Sequence, residues 1–320
     1  MLRTGDVLIA PWASVADVPT GVRLWRVPFW RLLRGATARL TEPLALKVSV
    51  RRALDAVVAA CVTSEVTEIV APSLAAQRTF ARLRGAQRVL MVDLPMLREL
   101  HEDLDCAARA LPRCEYLRHH RASQAVLVQQ LEECQLATRV LVRNRFAGRI
   151  VKQVGVDAEP MATAGEPEEP LLRAMAGGER VLLAGSTASR HGLEVALVAM
   201  ACLPQVQLVA RFSVGSDTSS LKHPRLTVLQ RDEPLPPVSC VWAPSWVEST
   251  PNEVVAAARA KIAVVATERA LGWVAATSPT VRVISPGDSS ALQSHFKQLV
   301  LPSTPPHPTS GAMPLGLGLV

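Results

Sequence analysis

The chain has 320 residues, 49% of them hydrophobic and 20% charged, a balance that excludes a mainly disordered protein and leaves room for two domains or one large one. Its formal charge of +7 is one-sided, since residues 1–160 carry 23 Lys and Arg against 16 Asp and Glu while residues 161–320 carry 12 against 12. The longest apolar stretch, Val195 to Ala210, is broken by Pro204, Gln205 and Gln207 and falls short of the ~20 apolar residues of a membrane span. Val7 to Pro11 is too short for the apolar region of a signal peptide, so a cytoplasmic location is expected.

Along the first half, short runs rich in Val, Ile and Leu predict strands at Asp6–Ala10, Glu68–Ala71, Arg88–Val92 and Arg139–Val142. Helices are predicted between them at Leu44–Cys61, Leu74–Leu83 and Glu115–Gln135, with Ser73 as an N-cap and Gly85 as a C-terminal stop. Within residues 23–40, Arg23, Arg26, Arg31, Arg34 and Arg39 interleave with Trp25, Phe29 and Trp30. That pattern suits an anionic membrane surface, which would place the protein peripherally on the inner face of the membrane. No nucleic-acid partner is expected, because no binding signature accompanies the basic excess and one tyrosine with five phenylalanines leaves few stacking platforms.

Asp157 to Leu171 contains three prolines and no apolar periodicity, the mark of a linker. The alternation then restarts, with strands predicted at Arg180–Ala184, Gln207–Arg211, Leu226–Leu229, Cys240–Ala243, Ile262–Ala266 and Val281–Ile284. Helices are predicted at Gly192–Cys202, Pro251–Ala260, Glu268–Ala275 and Ser290–Leu299, and the Pro-rich and Gly-rich tail from Leu301 reads as disordered. Strand and helix alternation of this kind implies an α/β protein with parallel sheets. The expected layout is a Rossmann-like domain over 1–160, a linker over 161–171, a second Rossmann-like domain over 172–300 and a tail over 301–320.

The six cysteines are scattered, with no C-x2-C pair, and read as reduced thiols. His119 and His120 are adjacent, so on a helix they point about 100° apart. No metal and no cofactor are expected.

Two segments carry candidate chemistry. Arg180-Val-Leu-Leu-Ala-Gly185 followed by Ser186 to Gly192 reads as strand, small-residue loop and helix start, which can turn backbone N–H groups toward a phosphate. Val241 to Ala256 places Glu248 at the carboxyl end of a strand, where open α/β sheets bind ligands. Thr250, Pro251 and Glu253 fit the N-cap, N1 and N3 positions of a capping box, which gives Glu253 a structural job.

Together these segments resemble the retaining glycosyltransferases of family 4. That family has the GT-B fold, two Rossmann-like domains facing a cleft, and carries P-S-x-x-E-G-F-P-N-x-x-x-E-A-M-A-x-G-x-P-V-V-A-T in its second domain. Pro244, Ser245, Glu248, Pro251, Asn252 and Ala263-Val264-Val265-Ala266-Thr267 fall on that pattern without a gap. Leu136 to Val142 is similar to the family's A-D-x-v-l-V strand, and Gly155-Val156-Asp157 resembles the G-V-D that closes its first domain. The departures are specific. The family's diphosphate-binding Arg and Lys fall on Ser186 and His191, and its second Glu falls on Ala256. Glu253 is no replacement, since three residues earlier on a helix turns it about 60°.

The resemblance implies transfer of a sugar from a nucleotide diphosphate donor to a glycan, lipid-linked or small-molecule acceptor. It is metal-independent and implies Glu248 as the residue holding donor-sugar hydroxyls. The departing diphosphate would meet backbone N–H groups of Gly185 to Ser186 and of the helix that opens at Pro251 and Asn252, helped by Arg190 and His191, with Gly192 also at the donor site. Asp93, at the end of the strand ending at Val92, is the acceptor-side candidate. The lost polar positions keep a second reading open, a catalytically inactive GT-B-fold binding or scaffold protein.

Overall fold

The computed structural model describes residues 7–10, 23–26, 43–118, 121–161, 173, 175, 179–213, 220–230, 233–249, 251–274 and 278–300. Strands β1 (Val7–Ala10) and β2 (Arg23–Arg26) pair in parallel as a separate two-stranded ribbon. Arg23 to Arg26 of the basic segment are therefore strand, and residues 27–40 lie outside the described residues, as do Thr250 and the 301–320 tail.

Helix α1 (Pro43–Cys61) leads into the first of two larger parallel sheets. Its strands run in chain order: β3 (Glu68–Pro72), β4 (Gln87–Val92), β5 (Arg139–Val142) and β6 (Ala158–Pro160). Strand β6 takes up the start of the proline-containing stretch from Asp157, with Ala158, Glu159 and Pro160 beside Val140, Leu141 and Val142, and residues 162–172 of the expected linker lie outside the described residues. Proline is tolerated there because β6 is an edge strand.

The crossover helices of this unit are α2 (Gln77–Arg82), α3 (Leu97–Ala110), α4 (Gln124–Leu136) and α5 (Arg145–Gln153). Helix α3 has no counterpart among the predicted elements, although Leu97, Leu100, Leu104 and Ala107, all buried, share one face at helical spacing. Arg98, Glu99, His101, Glu102, Asp103 and Asp105 lie between them and dilute the apolar signal. The predicted helix Glu115–Gln135 is instead a 3-10 turn at Glu115–Arg118 followed by α4.

The N-terminus of α2 also departs from expectation. Leu74 has φ +68, the helix starts three residues later than predicted, and Ser73 is buried without capping it. Its backbone donors are met from a distance: Glu133 of α4 accepts from Leu74, Ala76 and Gln77, and Asp55 of α1 accepts from Arg78 and Thr79. Buried carboxylates at a helix N-terminus satisfy its unpaired N–H groups and suit its dipole.

The second sheet comprises β7 (Arg180–Leu183), β8 (Gln207–Arg211), β9 (Leu226–Leu229), β10 (Cys240–Ala243), β11 (Ala263–Thr267) and β12 (Val281–Ile284). Their order across the sheet is β12-β11-β10-β7-β8-β9, all parallel. Such strands are covered on both faces, which explains runs like Cys-Val-Trp-Ala in β10, where every residue is buried. The helices are α6 (Leu193–Ala201), α7 (Asn252–Arg259) and α8 (Ser289–Val300), while the helix predicted from Glu268 is a short 3-10 turn, Glu268–Ala270. Trp242 of β10 meets Phe296 of α8 edge-on, with ring centroids 5.6 Å apart.

The two sheet units are not packed as independent bodies. One buried cluster joins Leu94, Leu97 and Leu104 of the first to Leu193, Trp246 and Val247 of the second.

Candidate functional site at the switch point of the second sheet

In the second sheet the strand order reverses between β7 and β10. Neighbouring loops leave in opposite directions at such a point and open a crevice at the carboxyl ends of the strands, the usual ligand position in open α/β sheets. The two segments singled out in the sequence follow β7 and β10, whose pairing sets Leu183 beside Trp242.

The loop after β7 is held tightly against the segment after β10. Gly185 has φ +88, and a Cβ there would lie 3.4 Å from the His191 ring and 3.5 Å from Pro251. Gly192, with φ +85, passes so close to Pro244 that a Cβ would overlap its carbonyl oxygen. The Trp246 N–H donates to the Arg190 carbonyl at 3.0 Å, and the His191 Nδ1 faces Ser245 Oγ at 3.4 Å. Ser186 is buried with φ +135, a conformation side chains rarely adopt. Strain of this kind clusters where ligands bind.

These contacts decide the charge of the loop. Burial, reinforced by the neighbouring Arg190 charge, pushes His191 down to about 3, so its imidazole is neutral at physiological pH. Burial also lowers Arg190 from its ordinary value. Ser186 and His191 therefore supply hydrogen-bonding groups and no cation at the two places where the resembled family has Arg and Lys. Ala256, at the place of its second Glu, packs against the apolar core of the second unit.

Helix α7 begins one residue later than predicted: Pro251, buried, is the N-cap and Asn252, exposed, is the first helical residue. Pro251 itself makes no side-chain cap hydrogen bond, and the positive end of the α7 dipole lies at this terminus, close to Gly185.

Glu248 reaches across to the first unit. The Met96 N–H, at the start of α3, and the Asn144 side chain, at the start of α5, both favour its charged form. Desolvation outweighs them, and Glu99 and Asp103 add repulsion, so its carboxyl is raised to about 7. Its Oε2 is enclosed without a hydrogen-bond partner. A carboxyl raised in this way at a strand's carboxyl end makes Glu248 a candidate functional group.

Asp93 sits where expected, after β4, but its two oxygens are taken by Arg51 Nη1 and Nη2 at 2.8 and 2.6 Å. Arg51 also donates to the Ser73 carbonyl at 2.7 Å, so Asp93 helps bind α1 to the sheet.

Several residues of this seam carry no local sequence signal. Arg269 grips Asp103 and lies over the Phe146 ring, 4.9 Å from its centroid. The Trp273 indole N–H donates to the Val142 carbonyl at 3.3 Å. Around the Arg269–Asp103 pair, a recess of about 330 Å³ is lined by Glu99, Glu102, Asp103, Phe146 and Arg269 among others. Asn144 carries a signal of its own kind, an Asn two residues after the end of a predicted strand, the residue type preferred at helix N-caps. Among the described residues, no group of three or more His, Cys, Asp or Glu is arranged to hold a metal ion, and no helix is long and apolar enough to cross a membrane.

The sequence matches no protein-family model and no curated protein. Solved structures do share its architecture. The sucrose-phosphate synthase of Thermosynechococcus elongatus superposes with a TM-score of 0.57 at 15% identity, covering 89% of this chain and 75% of that one. Anabaena HepE in complex with UDP gives 0.52 at 14% identity, covering 87% and 81%. TarM gives 0.50 at 12% identity, with 80% of this chain matched to 51% of that one. With its two parallel α/β sheets meeting at a common seam, this chain has the GT-B fold.

Proposed function

We propose that the protein is a glycosyltransferase that moves a sugar from a nucleotide diphosphate donor to an acceptor in the seam between its two sheets. The observation that carries this reading is Glu248, enclosed at the switch point against both the second sheet and the helix starts of the first unit. The UDP bound by a protein of the same fold supports a nucleotide donor. Glu248 would hold hydroxyls of the transferred sugar. The departing diphosphate would be stabilised by backbone N–H groups at Gly185 to Ser186 and at the start of α7, with Arg190 as the nearby cation, a metal-independent arrangement. A retaining outcome, membership of family 4, a glycan or lipid-linked acceptor and contact of residues 23–40 with an anionic membrane belong to the same proposal.

Thermal shift with UDP, GDP, ADP and TDP sugars, followed by donor hydrolysis, tests it. A ligand at about 100 times its dissociation constant adds roughly 2.7 kcal/mol. Expected are a shift with one nucleotide class and loss of hydrolysis in Glu248→Gln. No shift with any of them overturns the proposal.

A non-catalytic scaffold is the second reading. It is favoured by the neutral His191 and by Asp93 being engaged with Arg51. Tight nucleotide-sugar binding without hydrolysis or transfer to any acceptor would select it.

A further inference from the structure

The loop that the glycosyl-transfer reading assigns to the diphosphate is closed off from solvent. Ser186 is 8% exposed, and Thr187, Ala188 and Ser189 are enclosed completely. A phosphate accepting from the N–H groups of such a loop needs room in front of them. Part of what covers the loop comes from the first unit. The 3-10 turn Glu115–Arg118, in the connection between α3 and α4, lies against the 3-10 turn Ser189–His191. Leu117 of the first turn, 1% exposed, shares a buried cluster with Leu193, the first residue of α6. The Cys114 thiol donates to Glu194 Oε1 at 3.6 Å, and that oxygen also accepts from Ser189 Oγ at 2.6 Å. One carboxylate oxygen therefore ties the β7 loop to a turn of the first unit.

Elsewhere along the seam the units are fastened by ion pairs and a hydrogen bond. Arg269 holds Asp103, Arg149 pairs with Glu268 at 2.8 Å, and the Trp273 indole N–H donates to the Val142 carbonyl. None of these ties includes residues 114–118. A single 3-10 turn has poorer hydrogen-bond geometry than an α-helix, and short connections open at lower free energy than the sheets they join. The turn can therefore lift off the β7 loop while these ties stay made, and Tyr116, 45% exposed, is already turned to solvent.

We propose that residues 114–118 form an autoinhibitory cover over the β7 loop, which lifts locally to admit the diphosphate of the donor. The inference rests on the glycosyl-transfer reading and adds to it that donor affinity is set by the fraction of molecules whose cover is open. The apparent dissociation constant is the intrinsic one divided by that fraction.

Three enclosed thiols make the opening measurable: Cys114 in the cover, Cys134 in the core of the first unit and Cys240 in β10 of the second. The native full-length chain is labelled with iodoacetamide and each cysteine is followed by peptide mass mapping. Expected is labelling of Cys114 at least tenfold faster than of Cys134 and Cys240, which react only on wider unfolding. A Cys114 no faster than the other two overturns the inference. Leu117→Ala should speed Cys114 labelling about tenfold or more and tighten UDP or GDP binding, measured by calorimetry, by the same factor. Faster labelling without tighter binding overturns the inference and leaves the glycosyl-transfer reading standing. Should Leu117→Ala fail to fold, the parent decides: saturating UDP or GDP should speed Cys114 and slow Cys134 and Cys240, because the nucleotide binds the open, folded chain. A nucleotide that slows all three thiols together reaches its site beneath a closed cover and overturns the inference. Binding of neither nucleotide, by parent or variant, overturns the glycosyl-transfer reading as well.

Discussion

Arg269, in the 3-10 turn after β11, donates through Nε and Nη2 to the two carboxylate oxygens of Asp103 in the middle of α3, at 2.6 and 2.5 Å. The residues are 166 positions apart, and the pair bridges the two sheet units. Asp103 has a side chain only 9% exposed, and burial raises its carboxyl while Arg269 opposes that rise. The guanidinium is in turn held above its ordinary value by Asp103.

Removing one partner leaves a buried charge unpaired, which costs about 3–5 kcal/mol. Arg269→Ala should therefore unfold at clearly lower denaturant. The double variant Arg269→Met, Asp103→Leu should recover much of the loss, because a buried pair replaced by apolar groups is often neutral. Chemical denaturation of the single and double variants checks this, and equal losses in both would show that the ion pair is not what holds the seam.

Glu248 predicts a pH dependence of definite sign. Its folded-state carboxyl titrates at about 7 against an ordinary 4.5, so between those values the folded chain holds a proton that the unfolded chain has released. Stability should fall as pH rises from about 4.5 to about 7, by about 3 kcal/mol in all, and stay level above. Glu248→Gln should abolish this slope and be the more stable protein at pH 8. Unfolding curves at pH 5, 6, 7 and 8 decide it.

His191 works in the opposite direction. Its folded value of about 3 lies below the ordinary 6.5, so on acidification the unfolded chain takes up a proton that the folded chain refuses. Stability contributed here is present above pH 6.5 and is lost as pH falls toward 3. Between about pH 4.5 and 6.5 this offsets the Glu248 effect, and the two become separable only in variants. In a Glu248→Gln background, stability should drop on acidification through that window, and adding His191→Gln should flatten it.

Backbone conformation in the β7 loop predicts a pair of opposite outcomes. Gly192→Ala combines φ +85 with overlap of the Pro244 carbonyl and should destabilise by about 3 kcal/mol or more. Ser186→Gly relieves a strained φ of +135 and should stabilise by about 1 kcal/mol, relief of strain exceeding the entropy a glycine adds to the unfolded chain. Melting temperatures of the two variants should move in opposite directions, and a destabilised Ser186→Gly would show that this side chain holds the loop.

Strand positions were legible because buried parallel strands are short apolar runs that need no distant information. Arg139–Val142, Gln207–Arg211, Leu226–Leu229, Cys240–Ala243 and Val281–Ile284 have the same bounds in the sequence pattern and in the structure. Helix starts fared worse where the cap comes from elsewhere. Asp55 and Glu133 cap α2 from 20 and more residues away, and no local pattern at Ser73 can reveal that.

The candidate site divides along the same line. The sequence by itself determined the α/β class, the two loops after β7 and β10, and Glu248 as the carboxylate at a strand's end, because residue type and spacing are local properties. That β7 and β10 are neighbours at the switch point was decided only by the tertiary structure, through hydrogen bonding between strands 57 or more residues apart. The same holds for the charge states. His191 is neutral and Glu248 titrates near 7 because of what surrounds them, and desolvation depends on neighbours that the chain supplies from distant positions. Asp93 met Arg51, and Glu248 met Met96 and Asn144, for that reason: a side chain's type is written at its own position, and its partners are set by packing.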